Sequence, residues 1–287
     1  MRYLKLLVII YILCLTGISN AQIRHNIRNI LSQFGETPLA YLLSANRPSY
    51  SVDAYTADEN TWEIDASIAV SKDIVEVPLS LSYGISDRFE IFTGIDLYNQ
   101  SYNFNGKKID GVGDANLGFK LKFQESRLFT HVFQALVKLP TASSQTQLGT
   151  GLADWHFGVA QGFNVGSFGY ELSLELNLLN RRNLPSLTTG RPIIIEQILE
   201  NLKKKYDYKF EPEFIFSISP SLGLSRRFMI YTGVVFARNM RLNYNTSQLV
   251  TGLGYQATDN FLISIGGTIG LQNSSGFVFS SGFTLII

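Results

Sequence analysis

Between Ala115 and Leu139 the chain alternates apolar and polar residues with a period of two, twice over, around one short polar turn. Ala115, Leu117, Phe119, Leu121 and Phe123 hold the odd positions of the first segment; Asn116, Gly118, Lys120 and Lys122 hold the even ones. After Gln124-Glu125-Ser126-Arg127 the odd positions Phe129, Phe133, Ala135, Val137 and Leu139 are again apolar. That period puts one apolar and one polar face on a strand. Each segment is about ten residues long, the length a tilted strand needs to cross a bilayer. An aromatic residue flanks the turn on each side, where a membrane-interface girdle belongs.

The pattern recurs along the chain and predicts an all-β, transmembrane up-and-down antiparallel barrel of about twelve strands. Before the hairpin come Trp62–Val70, 74–85 and 89–97; after it come 155–163, 168–178, 208–224, 228–236, 249–255, 261–271 and 277–287. The connections near Ser86, Gln124, Asn164, Ser225 and Thr258 are short and most others long, as periplasmic turns and outer loops are. Pro212 and Pro220 sit awkwardly in a closed sheet, because each lacks a ladder donor. The polar run 99–113 reads as a loop. Pro192 and the stripe Ile195, Ile198, Leu199 and Leu202 predict a short helix in the longest loop, 180–207.

Residues 1–21 read as a secretory signal: Arg2 and Lys5, an apolar run from Leu6 to Leu15, then Ser19-Asn20-Ala21. Cys14, the one cysteine, lies inside it, so the remainder can form neither disulfides nor thiolate metal sites. Without Arg2 and Lys5 the basic residues fall one below the 23 acidic ones, which gives no electrostatic case for nucleic acid. No later stretch is apolar enough for a helical span. Residues 22–60 form an N-terminal segment, periplasmic or lumenal, in which 22–34 carries a helical apolar stripe. Residues 61–287 form the barrel. The expected location is the bacterial outer membrane.

Arg88–Leu97, RFEIFTGIDL, is echoed by Arg227–Phe236, RFMIYTGVVF. Gly111-Val112-Gly113-Asp114 leading into Leu117-Gly118-Phe119-Lys120 resembles the hallmark of the outer-membrane proteins grouped under the MetA pathway of phenol degradation. Lys138-Leu139-Pro140-Thr141 with Leu148-Gly149-Thr150-Gly151, Arg47-Pro48, Asp53-Ala54, Trp62-Glu63 and the run Tyr83–Glu90 resemble further parts of that group. The resemblance implies a transporter-like barrel for aromatic or other small hydrophobic compounds. The segment before Arg47 lies outside it. The final Phe283-Thr284-Leu285-Ile286-Ile287 lacks the terminal aromatic usual in assembly signals, although Ile287 keeps the outward phase.

The polar faces collect Glu63, Asp65, Glu76, Glu90, Asp96, Asp114, Asp154, Glu171, Glu175, Glu211 and Glu213 against Lys120, Lys122, Lys138 and Lys209, with His156 beside Asp154. A lumen of that balance favours cations. Alternatively the charges pair and plug a narrow barrel, with Lys120 and Lys122 the candidates to meet Glu90, Asp96 or Asp114. His131 puts a polar ring in the outward phase, two residues from Phe129; the facing strands offer no serine in that phase, so a lipid-modifying enzyme lacks its nucleophile. No cofactor or metal site is expected. The expected partners are outer-membrane lipids, the barrel-assembly machinery and a small-molecule solute. Two readings remain open: a passive channel, or a structural barrel closed by its N-terminal segment and loop helix.

Overall fold

The computed structural model of the chain describes residues 52–72, 74–102, 108–142, 152–181, 209–240, 244–273 and 276–287. The expected signal, the stripe at 22–34 and the helix after Pro192 lie outside them. The strands are β1 (Trp62–Val70), β2 (Val75–Ser86), β3 (Phe89–Tyr102), β4 (Lys108–Gly111), β5 (Ala115–Glu125), β6 (Phe129–Leu139), β7 (Asp154–Val165), β8 (Phe168–Arg181), β9 (Lys209–Gly223), β10 (Phe228–Asn239), β11 (Tyr244–Thr258), β12 (Phe261–Gln272) and β13 (Phe277–Ile286).

Twelve of these form a closed antiparallel ring. Each pairs with the next, β3 pairs with β5, and β1 pairs with β13 from Glu63–Ile286 to Val70–Phe279. Trp62 and Ile287 seal the seam by exchanging two backbone hydrogen bonds, of 2.9 and 2.8 Å. β4 is an extra rung on the far end of β3, so part of the run expected to be loop is hairpin. β11 likewise extends beyond the expected 249–255 at both ends.

The alternation sets the two faces as expected. Trp62, Ile91, Leu117, Trp155, Phe214, Phe236, Ile265 and Phe283 are exposed on the outside, where lipid covers them. Near the short turns, cross-strand aromatic pairs form a girdle: Trp62–Tyr83, Phe129–Phe163, Phe163–Tyr170, Phe228–Tyr255 and Phe261–Phe283, with centroids 4.6–5.7 Å apart.

The prolines fit because their missing donors face gaps. The Pro212 carbonyl accepts from Met240 N at 2.9 Å, so Pro212 and Pro220, eight residues on, both turn their backbone toward β10. Pro212 lies beyond the last β9–β10 rung, Glu213 with Asn239. Pro220 falls where that ladder skips from Tyr231–Ser221 to Val234–Ile218. Pro78 sits at a bulge, where Leu97 is the extra residue of β3.

The sequence echo is a repeated device. Phe92 and Tyr231 occupy matching positions and point inward over a glycine of the next strand, Gly118 and Gly252. One residue on, Thr93 Oγ1 donates to Asn116 O (2.8 Å) and Thr232 Oγ1 to Val250 O (3.2 Å). A Cβ on Gly118 would lie 2.4 Å from Phe92 Cζ and 2.7 Å from the Ala135 carbonyl. Gly118→Ala is therefore expected to cost about 1–3 kcal/mol, the usual range for overpacking. A urea-unfolding midpoint unchanged in lipid vesicles would refute the contact's importance.

Candidate functional site: the lumen

The inward faces divide the lumen into a polar half, made by β1–β3 and β5–β8, and an apolar patch. Ile215, Met229, Tyr231, Val235, Val250 and Leu262 make that patch on β9–β12. Into this interior runs the chain before β1. Val52 N donates to Glu175 Oε1 (2.9 Å), Ala54 N to Glu171 Oε1 (2.8 Å) and Ala57 N to Glu90 Oε2 (2.7 Å). Lys120 Nζ meets both Asp53 carboxylate oxygens, at 3.0 and 2.9 Å, and Glu90 Oε1 at 3.6 Å. Tyr55 packs against the apolar patch and also against the smaller cluster of Val52, Ala54 and Ala160; its hydroxyl accepts from Asn164 Nδ2.

Small inward residues make room for this. A Cβ on Gly158 would lie 2.5 Å from Val52 Cγ2, and one on Gly162 3.0 Å from Ala54 Cβ. At Gly84 a Cβ would strike the Asp58 carbonyl at 2.0 Å. Asn60 N donates to Gly84 O, and Gly84 N to Thr61 O, where the segment leaves the lumen for β1. The segment thus lies across the end carrying the short turns.

Above it a cavity of about 400 Å3 opens along β1–β3, β5 and the neighbouring faces of β12 and β13. Asp65, Glu76, Glu90, Asp96, Asp53 and Lys120 are among its lining groups, with Phe92, Leu136 and Val278 as apolar members. Asp65 accepts from Thr284 Oγ1 at 2.5 Å across the seam. Lys120 Nζ also lies 5.9 Å from the Phe92 ring centroid, a cation–π distance. Farther toward the long loops, Lys138 Nζ bridges Asp154 Oδ2 (2.5 Å) and Asp114 Oδ2 (3.3 Å), and Ala142 N donates to Asp114 Oδ1.

Glu63, Asp65, Glu76, Glu90, Asp96, Lys120, Lys122, Lys138, Asp154, His156, Glu171 and Glu175 thus fall in inward register, and Asp114 joins them through Lys138. They form two groups rather than one. Lys120 does meet Glu90, as expected. Lys122 does not meet a lumenal carboxylate: it pairs with Glu125 at 3.1 Å, because Phe123 bulges between Lys122 and the turn and brings that carboxylate beside it. His156 Nδ1 donates to Asn177 Oδ1 at 2.7 Å, and Asn177 Nδ2 to Glu213 Oε2 at 3.2 Å. Among the described residues no group of three or more His, Cys, Asp or Glu side chains could hold a metal ion. The backbone donors of Val52, Ala54 and Ala57 and the inward ring of Phe92 were missed in the sequence; inward glycines, which mark close backbone approach, were the signal available.

On the outer wall His131 keeps its outward phase yet is only 2% exposed. Phe123 and Phe129 flank its ring, and Gln161 Nε2 donates to its Nε2 at 3.1 Å. The nitrogen a hydrolase would use to activate a hydroxyl is thus already an acceptor for an amide.

No family model matches the chain, and no curated protein matches it in sequence. Among solved structures it is similar to the COG4313 outer membrane channel from Pseudomonas putida F1, with TM-score 0.61, 10% identity, and 84% of this chain and 99% of that one covered. It is also similar to the NanC porin (0.52, 9%, 78% and 98%) and the KdgM porin (0.51, 7%, 78% and 98%). At these identities the likeness is one of fold. A closed ring with an apolar, aromatic-girdled outside is a wall for lipid, and the chain is a barrel of the bacterial outer membrane.

Proposed function

We propose that the barrel is a passive outer-membrane channel for small solutes. The observation that carries this reading is the cavity of about 400 Å3 inside a closed wall, a volume suited to a small organic molecule. The similar structures, an outer-membrane channel and two porins, support the same reading. Asp65, Glu76 and Asp96 give the cavity a negative potential, while Lys120, the lysine among its described lining residues, is engaged by Asp53 and Glu90. Such a path favours cationic and neutral solutes over anions. Phe92, Leu136 and Val278 add apolar surface to the lining, in keeping with the small aromatic cargo that the resemblance to the phenol-degradation group implies.

In planar bilayers under a potassium chloride gradient, the reversal potential is expected to report cation preference. Neutralising Glu76→Gln together with Asp96→Asn should reduce that preference by about half, since two of the cavity's charged groups are lost. Anion preference in the unaltered protein would overturn this reading. The segment seated in the lumen favours a second reading, a barrel closed by its own N-terminal region. Failure of any solute in a panel of aromatic compounds, sugars and amino acids to swell proteoliposomes would favour it.

A further inference from the structure

The residues that hold the lumenal segment recognise it as a peptide. Groups along a segment that bends at Ala54, where Asp53 Oδ1 also accepts from Tyr55 N at 3.1 Å, are each met by the chemistry that suits them. Backbone N–H donors at Val52, Ala54 and Ala57 face the carboxylates of Glu175, Glu171 and Glu90; the carboxylate of Asp53 faces Lys120; Tyr55 packs against the apolar patch on β9–β12. None of the three acceptors depends on which side chain follows each N–H. Glu90 is 2% exposed and Glu171 7%, so these carboxylates are costly to leave without donors. Gly158 and Gly162 keep the wall flat beneath the chain.

We propose that this slot is a binding site for short peptides bearing one carboxylate and one aromatic ring in the bent form of residues 53–55, which compete with the segment for Glu171, Lys120 and the apolar patch. This names a solute class for the channel and rests on that reading for passage, though not for binding. Such a peptide supplies again the N–H that Glu171 accepts, the carboxylate that Lys120 meets and the ring that packs on the apolar patch.

The probe is the tripeptide amide Asp-Ala-Tyr-NH2, which repeats residues 53–55 and carries no net charge. Its controls are Asn-Ala-Tyr-NH2, which is cationic, and Asp-Ala-Ala-NH2, which has no ring. Competition against a dye-labelled copy of the probe is followed by fluorescence anisotropy on the refolded full chain in detergent, and current blockade is followed in planar bilayers. A negative lumen alone prefers the Asn peptide; the slot prefers the Asp peptide. The Asp-Ala-Tyr amide is expected to compete at about tenfold lower concentration than either control, a modest fraction of what a buried charge contact can supply. Lys120→Arg should keep that order, and Lys120→Met should reverse it between the Asp and Asn peptides. Equal competition by all three, or preference for the Asn peptide in the unaltered chain, overturns the site. Ordered binding with no ionic current from any variant would uphold the site and sink the channel reading; current without ordered binding would do the reverse.

Discussion

A chain refolded from Asp58 onward, without the residues seated in the lumen, is expected to pass several times the current of the full chain. The seat is finely balanced. Ordering the six residues 52–57 costs roughly 6–12 kcal/mol in backbone entropy. Three amide–carboxylate bonds contribute roughly 4–9 kcal/mol against this, and the Lys120 contact and the burial of Val52, Ala54 and Tyr55 supply the remainder. A segment held on such a margin leaves the lumen at small cost. Truncation removes it outright, leaves the Asn60 and Thr61 contacts with Gly84 in place, and frees Glu90, Glu171 and Glu175 to solvent. Cation preference should therefore rise along with conductance. Equal single-channel currents from the two chains would show that the segment does not obstruct the path.

The largest loss of stability is expected from Lys120→Met. Its ammonium group is the shared partner of Asp53 and of the nearly inaccessible Glu90. Removing one member of a buried ionic group typically costs 3–5 kcal/mol, because the charge left behind is uncompensated. Water in the adjoining cavity reduces that figure, so about 3 kcal/mol is expected. Lys120→Arg should recover most of it. Urea unfolding in lipid vesicles, read by circular dichroism, checks the prediction. An unchanged midpoint for Lys120→Met would mean that solvent already screens the cluster.

The wall was legible because lipid imposes one rule on every strand: apolar out, every second residue. That rule found β5 and β6 directly and placed Glu171 and Glu175 on the inner face of β8. It failed where the inside is not polar. Phe92 and Tyr231 are aromatic residues in inward phase, and a period of two cannot distinguish them from breaks in the pattern. It also failed for residues 52–57, which have no period at all. The carboxylates that accept from their backbone at Val52, Ala54 and Ala57 lie between 33 and 123 residues away, on strands far apart along the chain. The partner of Lys122 was misjudged for a more local reason: alternation is blind to a one-residue bulge such as that at Phe123.

The seam between β1 and β13 bears on the order of assembly. Every other wall ladder joins strands that follow one another along the chain, apart from the short excursion through β4. The seam alone joins distant ones; Asp65 and Thr284 are 219 residues apart. Loop-closure entropy rises with such separation, so this ladder is the costliest to begin and benefits most from being formed after the others have drawn its ends together. The polar contacts of residues 52–57 reach β3, β5, β7 and β8, strands from one side of the ring, and Tyr55 also packs against the apolar patch on β9–β12. The segment can lie on that half-formed sheet while it is still an open trough. Closing the ring would then bring the patch on β9–β12 onto Tyr55 as the last ladder forms.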